Sequence, residues 1–140
     1  MSWRVAKSLL VLRQQVNEAF PNRKKDSDGT IGDARHQAES TSDHNPWVDG
    51  GIVTAMDITH DPAHGLDSYV MADQLKSSGD GRIKYVISNS RIWNPSISPD
   101  WRHYRGSNPH NKHVHISVKS DHARYDDETK WVIPMLTKEG

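Results

Sequence analysis

The chain has 140 residues, 34% hydrophobic and 26% charged, a length and balance that fit one domain (1–140) with one core and exclude an intrinsically disordered chain. Its 18 basic and 18 acidic residues cancel, so it lacks the cationic surplus of a dedicated nucleic-acid binder. With no cysteine it can form neither disulfides nor thiolate metal sites, and any metal must be held by His and carboxylates.

Taken in chain order, residues 3 to about 20 have the spacing of an amphipathic helix, with Val5, Leu9, Leu12, Val16 and Phe20 on one stripe and Pro21 as its stop. The apolar run Ser8-Leu9-Leu10-Val11-Leu12 is too short for a signal-peptide core, and nothing approaches the roughly 20 apolar residues of a membrane span. A monomer made in the cytoplasm, with no membrane insertion, is the expectation. Residues 21–51 are rich in loop signals, with a turn at Asp28-Gly29, a short helical turn between Ala34 and Glu39, and a turn at Asp49-Gly50-Gly51. Ile52 to Thr59 has the composition of a buried strand interrupted by a single acid, Asp57, which must find a partner there. A helix over 67–77 follows, capped by Asp67 or Ser68. Ile83 to Ser88 and Arg91 to Asn94 are two short strands around Asn89-Ser90, and Trp101 to Tyr104 is an edge strand. A helical turn is expected between Tyr125 and Ile133, before Pro134.

The most informative stretch is Asn108-Pro109-His110-Asn111-Lys112-His113-Val114-His115-Ile116-Ser117-Val118, which holds three of the nine histidines within six residues. From His113 the pattern alternates, placing His113, His115 and Ser117 on one face of a strand and Val114, Ile116 and Val118 on the other. A half-buried strand with a polar outer face would look similar, so further ligands have to come from elsewhere. Zinc without cysteine needs about three His or carboxylate ligands and an open position for water. His44, in a Ser-Asp-His-Asn-Pro turn, and Asp57, isolated on its strand, are the candidates to join His115.

Ser42-x-His44, then Asp57 on a following strand, then His113-x-His115 on a late strand resembles the D-alanyl-D-alanine metallopeptidase family, whose zinc-site architecture is shared with Hedgehog-type domains and murein endopeptidases. The likeness runs from about Asp33 to Val118, and Asp28-Gly29-Thr30-Ile31-Gly32-Asp33, Ser42-Asp43-His44-Asn45-Pro46 and Ala55-Met56-Asp57-Ile58 are similar to phrases of small bacteriophage members. The resemblance implies an α+β fold, a small antiparallel sheet carrying the site with helices on its other face. It implies one Zn2+ ion held by His44, Asp57 and His115. His113 then lies beside the metal to assist the water or the oxyanion, with His110 near it, and Arg35 grips a substrate carboxylate or carbonyl in a bidentate fork. The chemistry implied is hydrolysis of peptidoglycan stem peptides, by a carboxypeptidase or an endopeptidase, and a phage endolysin that reaches the cell wall only after release. Two departures stand out. Twelve residues separate His44 from Asp57, a longer interval than the family's usual one. Lys112 occupies the position where many members carry the carboxylate base, which leaves that role to His113 or His110, whose imidazoles titrate near neutral pH.

Two rival readings belong to other classes. Asp43-His44-x-Pro46 before Gly50-Gly51 looks like the first half of an HNH-type nuclease motif, but residues 52–65 supply an aliphatic strand and a Pro-Gly turn where that fold needs a helix bearing Asn and His. A catalytically inactive cell-wall-binding module that keeps zinc for stability would retain the ligands and lose the proton-handling histidines, which are both present here.

Overall fold

The computed structural model describes residues 3–29, 51–106 and 108–137. Its order is β1 (Arg4–Val5), α1 (Lys7–Ala19), β2 (Ile52–Val53), β3 (Ala55–Thr59), a 3-10 turn (Pro62–His64), α2 (Ser68–Ser77), β4 (Ile83–Ser88), β5 (Arg91–Trp93), β6 (Arg102–His103), β7 (His113–Val118) and α3 (His122–Tyr125). Five strands form one antiparallel sheet in the order β3-β7-β4-β5-β6, and β1 pairs with β2 as a separate parallel ribbon. The chain is thus a mixed helix and sheet protein with a small antiparallel sheet, as the resemblance implies. The expected helical turn between Ala34 and Glu39 lies outside the described residues.

The boundaries differ in three places. The first helix begins at Lys7 rather than at residue 3, because Arg4 and Ala6 donate their backbone N–H groups to Gly51 and Val53 (2.9 and 3.0 Å) and are drawn into a strand. Val5 still joins Leu9, Leu12, Val16 and Phe20 in the core, so the stripe was right although its first member is not helical. The strand at 52–59 is divided at Thr54, its first half pairing with β1 and its second with β7. In the tail, the helical turn sits at His122–Tyr125, upstream of the expected span. The segment after it is held by specific polar contacts: Trp131, fully buried, donates its indole N–H to the Ser8 carbonyl (2.8 Å), and Arg82 stacks over its ring at 4.0 Å.

Alternation divides the sheet into two unlike faces. Met56, Ile58, Val86, Trp93, Val114, Ile116 and Val118 are buried against α1 and α2, each contributing about 1.5–3 kcal/mol of apolar burial. On α2, Leu75 and Met71 face this core, and Asp67 caps the helix by accepting from the N–H groups of Tyr69 and Val70 (3.0 and 3.3 Å). The register of β4 on β7 slips between Ile83 and Tyr85. This bulge pairs Ile83 with Val118 in the core and sets Lys84 aside, which a strict alternation would have pointed inward. The other face collects Asp57, His113, His115, Ser117, Tyr85 and Ile87, since paired residues on neighbouring strands share a side.

Candidate metal centre

The pairing of β3 with β7 sets Asp57 directly across from His115, and Thr59 across from His113. Side chains so placed have Cβ atoms about 4.5–5.5 Å apart, close enough for direct polar contact. The Asp57 carboxylate lies between the two rings: Oδ1 is 3.2 Å from His115 Nδ1, and Oδ2 is 3.5 Å from His113 Nε2. The Ser117 hydroxyl lies 2.9 Å from the other ring nitrogen, His115 Nε2. Tyr85 stacks on the His115 ring, with centroids 5.3 Å apart and planes 7° off parallel.

His110 arrives from the loop before β7 in a left-handed conformation, φ 55°. Three contacts hold it there. Its N–H donates to Asn108 Oδ1 (3.0 Å), its ring Nδ1 lies 2.8 Å from the Asn108 carbonyl, and its carbonyl accepts from the Asn89 N–H (3.0 Å). Because a carbonyl can only accept, Nδ1 is the protonated nitrogen and Nε2 keeps its lone pair. The ring meets His113 and His115 edge-on, at 4.9 and 5.4 Å between centroids. Burial, then the neighbouring His115 and His113, push its pKa down to about 4, against a smaller upward pull from Asp57 and the Asn108 carbonyl. His110 is therefore neutral in the metal-free protein across the neutral range, the state a metal ligand requires.

Asp57, His110 and His115 are all buried, and each offers a ligand atom within 4.8 Å of the others. This group could hold a metal ion, and its donor chemistry, one carboxylate and two imidazoles without sulfur, fits a divalent cation such as zinc. Of the residues identified from sequence, the structure brings together Asp57, His110, His113 and His115. His44 and Arg35 lie outside the described residues. His110, expected to handle protons, stands here among the potential ligands, while His113 sits beside Asp57. His60, three residues beyond Asp57, serves a different purpose: its Nδ1 accepts the Ser68 N–H (3.0 Å), its ring stacks on Tyr69 at 4.2 Å, and Tyr69 in turn donates its hydroxyl to the Asn111 carbonyl (2.8 Å). It braces the start of α2 and the loop that carries His110.

Sequence reasoning passed over several residues that build the centre. Arg23, buried, makes a two-pronged pair with Asp28 (2.9 and 2.7 Å), and Asp28 also accepts from the Thr59 N–H and hydroxyl (2.9 and 2.7 Å). Burial pushes the Asp28 carboxyl up, but the hydrogen bonds from Arg23 and Thr59 and the Arg23 charge overcome it and hold it below the usual carboxylate range. This clamp brings Gly29 alongside Asp57, where their backbones exchange hydrogen bonds (2.8 and 3.3 Å) and pin the carboxylate's strand from its outer side. Asp28-Gly29 had announced only a turn. Asn108 and Tyr85 carried no signal beyond their place in a loop and a strand. Against known proteins, the chain matches no family model, no curated protein and no solved structure.

Proposed function

We propose that the protein is a zinc peptidase acting on peptidoglycan stem peptides, a phage endolysin of the D-alanyl-D-alanine metallopeptidase type with a Hedgehog-like zinc-site fold. The observation that carries this reading is the convergence of Asp57, His115 and His110 on one buried spot with His113 beside it, from segments far apart in the chain. The sequence expectation adds His44 as a ligand; Asp57 and His115 are common to both sets. Zinc held there would lower the pKa of a bound water toward 7 and polarise a peptide carbonyl.

The chain's own residues supply the rest. Asp57 brings the negative charge that favours a cation. Asn108 fixes the tautomer of His110 and with it the direction of the Nε2 lone pair. His113, its ring nitrogens buried and Nε2 3.5 Å from Asp57 Oδ2, would take a proton from the attacking water and return it to the leaving amine. Arg35 is the proposed grip on a substrate carboxylate or carbonyl.

The test is digestion of purified muropeptides read by mass spectrometry, with and without chelator. Peptide-bond cleavage lost with chelator and restored by zinc is expected. Chelator-insensitive cleavage, or the absence of any cleaved stem peptide in the zinc-loaded protein, would sink the reading.

A further inference from the structure

The strand register places five residues in a single row across the site face: Asp57 on β3, His115 on β7, Ile87 on β4, Ile92 on β5 and Arg102 on β6. Exposure rises along it. Asp57, His115 and Ile87 are buried, Ile92 is half-buried and Arg102 is exposed at the sheet edge. Tyr85 borders the row on one side, stacked on His115, and Tyr104 borders it on the other, meeting the His110 ring at 5.6 Å. The row forms an apolar track, buried at Ile87 and opening from Ile92, that leads away from the candidate metal centre and ends at the Arg102 guanidinium. Among the described residues Arg102 makes no ion pair, which it shares with Arg13 and Arg105, whereas Arg4, Arg23, Arg82, Arg91 and Arg124 each face a carboxylate.

We propose that Arg102 binds a carboxylate of an extended peptide laid along this track, about four residues from the bond that is cut. The spacing follows from the sheet: three strand intervals from β7 to β6 make about 14 Å, and an extended peptide covers about 3.3 Å per residue. The track favours peptide because its floor is two isoleucines flanked by tyrosine rings, and its end matches a planar anion with a two-pronged donor. The inference rests on the peptidase reading and deepens it. A substrate anchored this far from the metal is selected by a remote acidic group as well as by the residues at the scissile bond.

The probe is a synthetic stem pentapeptide in three forms: free acid, amidated at its C-terminus, and amidated at the D-Glu α-carboxylate. Binding is measured by calorimetry on chelator-treated protein, where hydrolysis is silent, and kcat and KM are measured separately on the zinc-loaded protein. Amidation at one of the two positions should weaken binding to wild type by about tenfold to a hundredfold, and Arg102→Ala should show that same loss with the free acid and none on further amidation. Arg102→Lys should recover part of it, and in turnover the loss should appear in KM. Equal affinity of wild type for all three forms, or undiminished free-acid binding by Arg102→Ala or Arg102→Lys with unchanged melting temperature, overturns the proposal. If the Arg102-dependent binding is present but zinc-loaded protein cleaves nothing, the carboxylate contact stands and the peptidase reading falls.

Discussion

β7 has two faces built from alternate residues of one six-residue strand, and they do opposite things. Val114, Ile116 and Val118 lie in the core, where apolar burial is favourable and any well-fitting aliphatic serves. On the other side His113 and His115 face Asp57, His115 stacks on Tyr85, and Ser117 lies 2.9 Å from the His115 ring. Desolvating a carboxylate and several imidazoles costs stability unless they are paired. The protein keeps them buried on a strand whose reverse side is among its best packed. The lesson is that the hydrophobic face holds the polar face in position, so the two should respond to substitution in different observables.

His115→Ala should therefore abolish chelator-sensitive stem-peptide cleavage by roughly a thousandfold or more while the metal-free protein remains folded by circular dichroism. Substantial activity in that variant would detach the histidine face from function. On the other face, Ile116→Ala should cost about 2–5 kcal/mol in urea denaturation, with little change in the zinc-dependent rate of the molecules that stay folded. A large loss of rate without loss of stability would mean that the two faces are not separable.

A third outcome concerns pH. His110 has its pKa pushed from the ordinary 6.5 to about 4, so between these values the unfolded chain takes up a proton that the folded chain refuses. Stability from this group is fully present above pH 6.5 and is lost as pH falls through the window toward 4, by up to about 3 kcal/mol. Denaturation of metal-free protein across that range should show the slope, and His110→Gln should flatten it. The smallest effect is expected from Asn108→Ala. It removes the side-chain acceptor that holds His110 in its left-handed conformation, and zinc affinity measured by competition with a chromogenic chelator should fall by about 10- to 100-fold.

The donor types of the candidate centre were legible in the chain because they depend on residue type and short-range alternation. Absence of cysteine restricts the donors to nitrogen and oxygen. The period of two from His113 to Val118 separates residues facing the candidate centre from core-facing ones, and an acid inside the apolar run at 52–59 has to be partnered. The α2 cap was narrowed to Asp67 or Ser68 for the same reason, since the interaction spans only two or three residues, and the structure decides for Asp67. What the tertiary structure alone decided depends on contacts between distant segments. Pairing with β2 turned residues 4 and 5 into a strand, overriding their helical period. The bulge before Tyr85 exchanged Ile83 for Lys84 in the core. The Arg23–Asp28 clamp set Gly29 against Asp57, and the left-handed turn at His110 brought a third imidazole onto the carboxylate. Register and loop conformation are settled by the sum of packing and hydrogen bonding over the whole sheet, so no local pattern could fix which histidines converge with Asp57 as potential ligands.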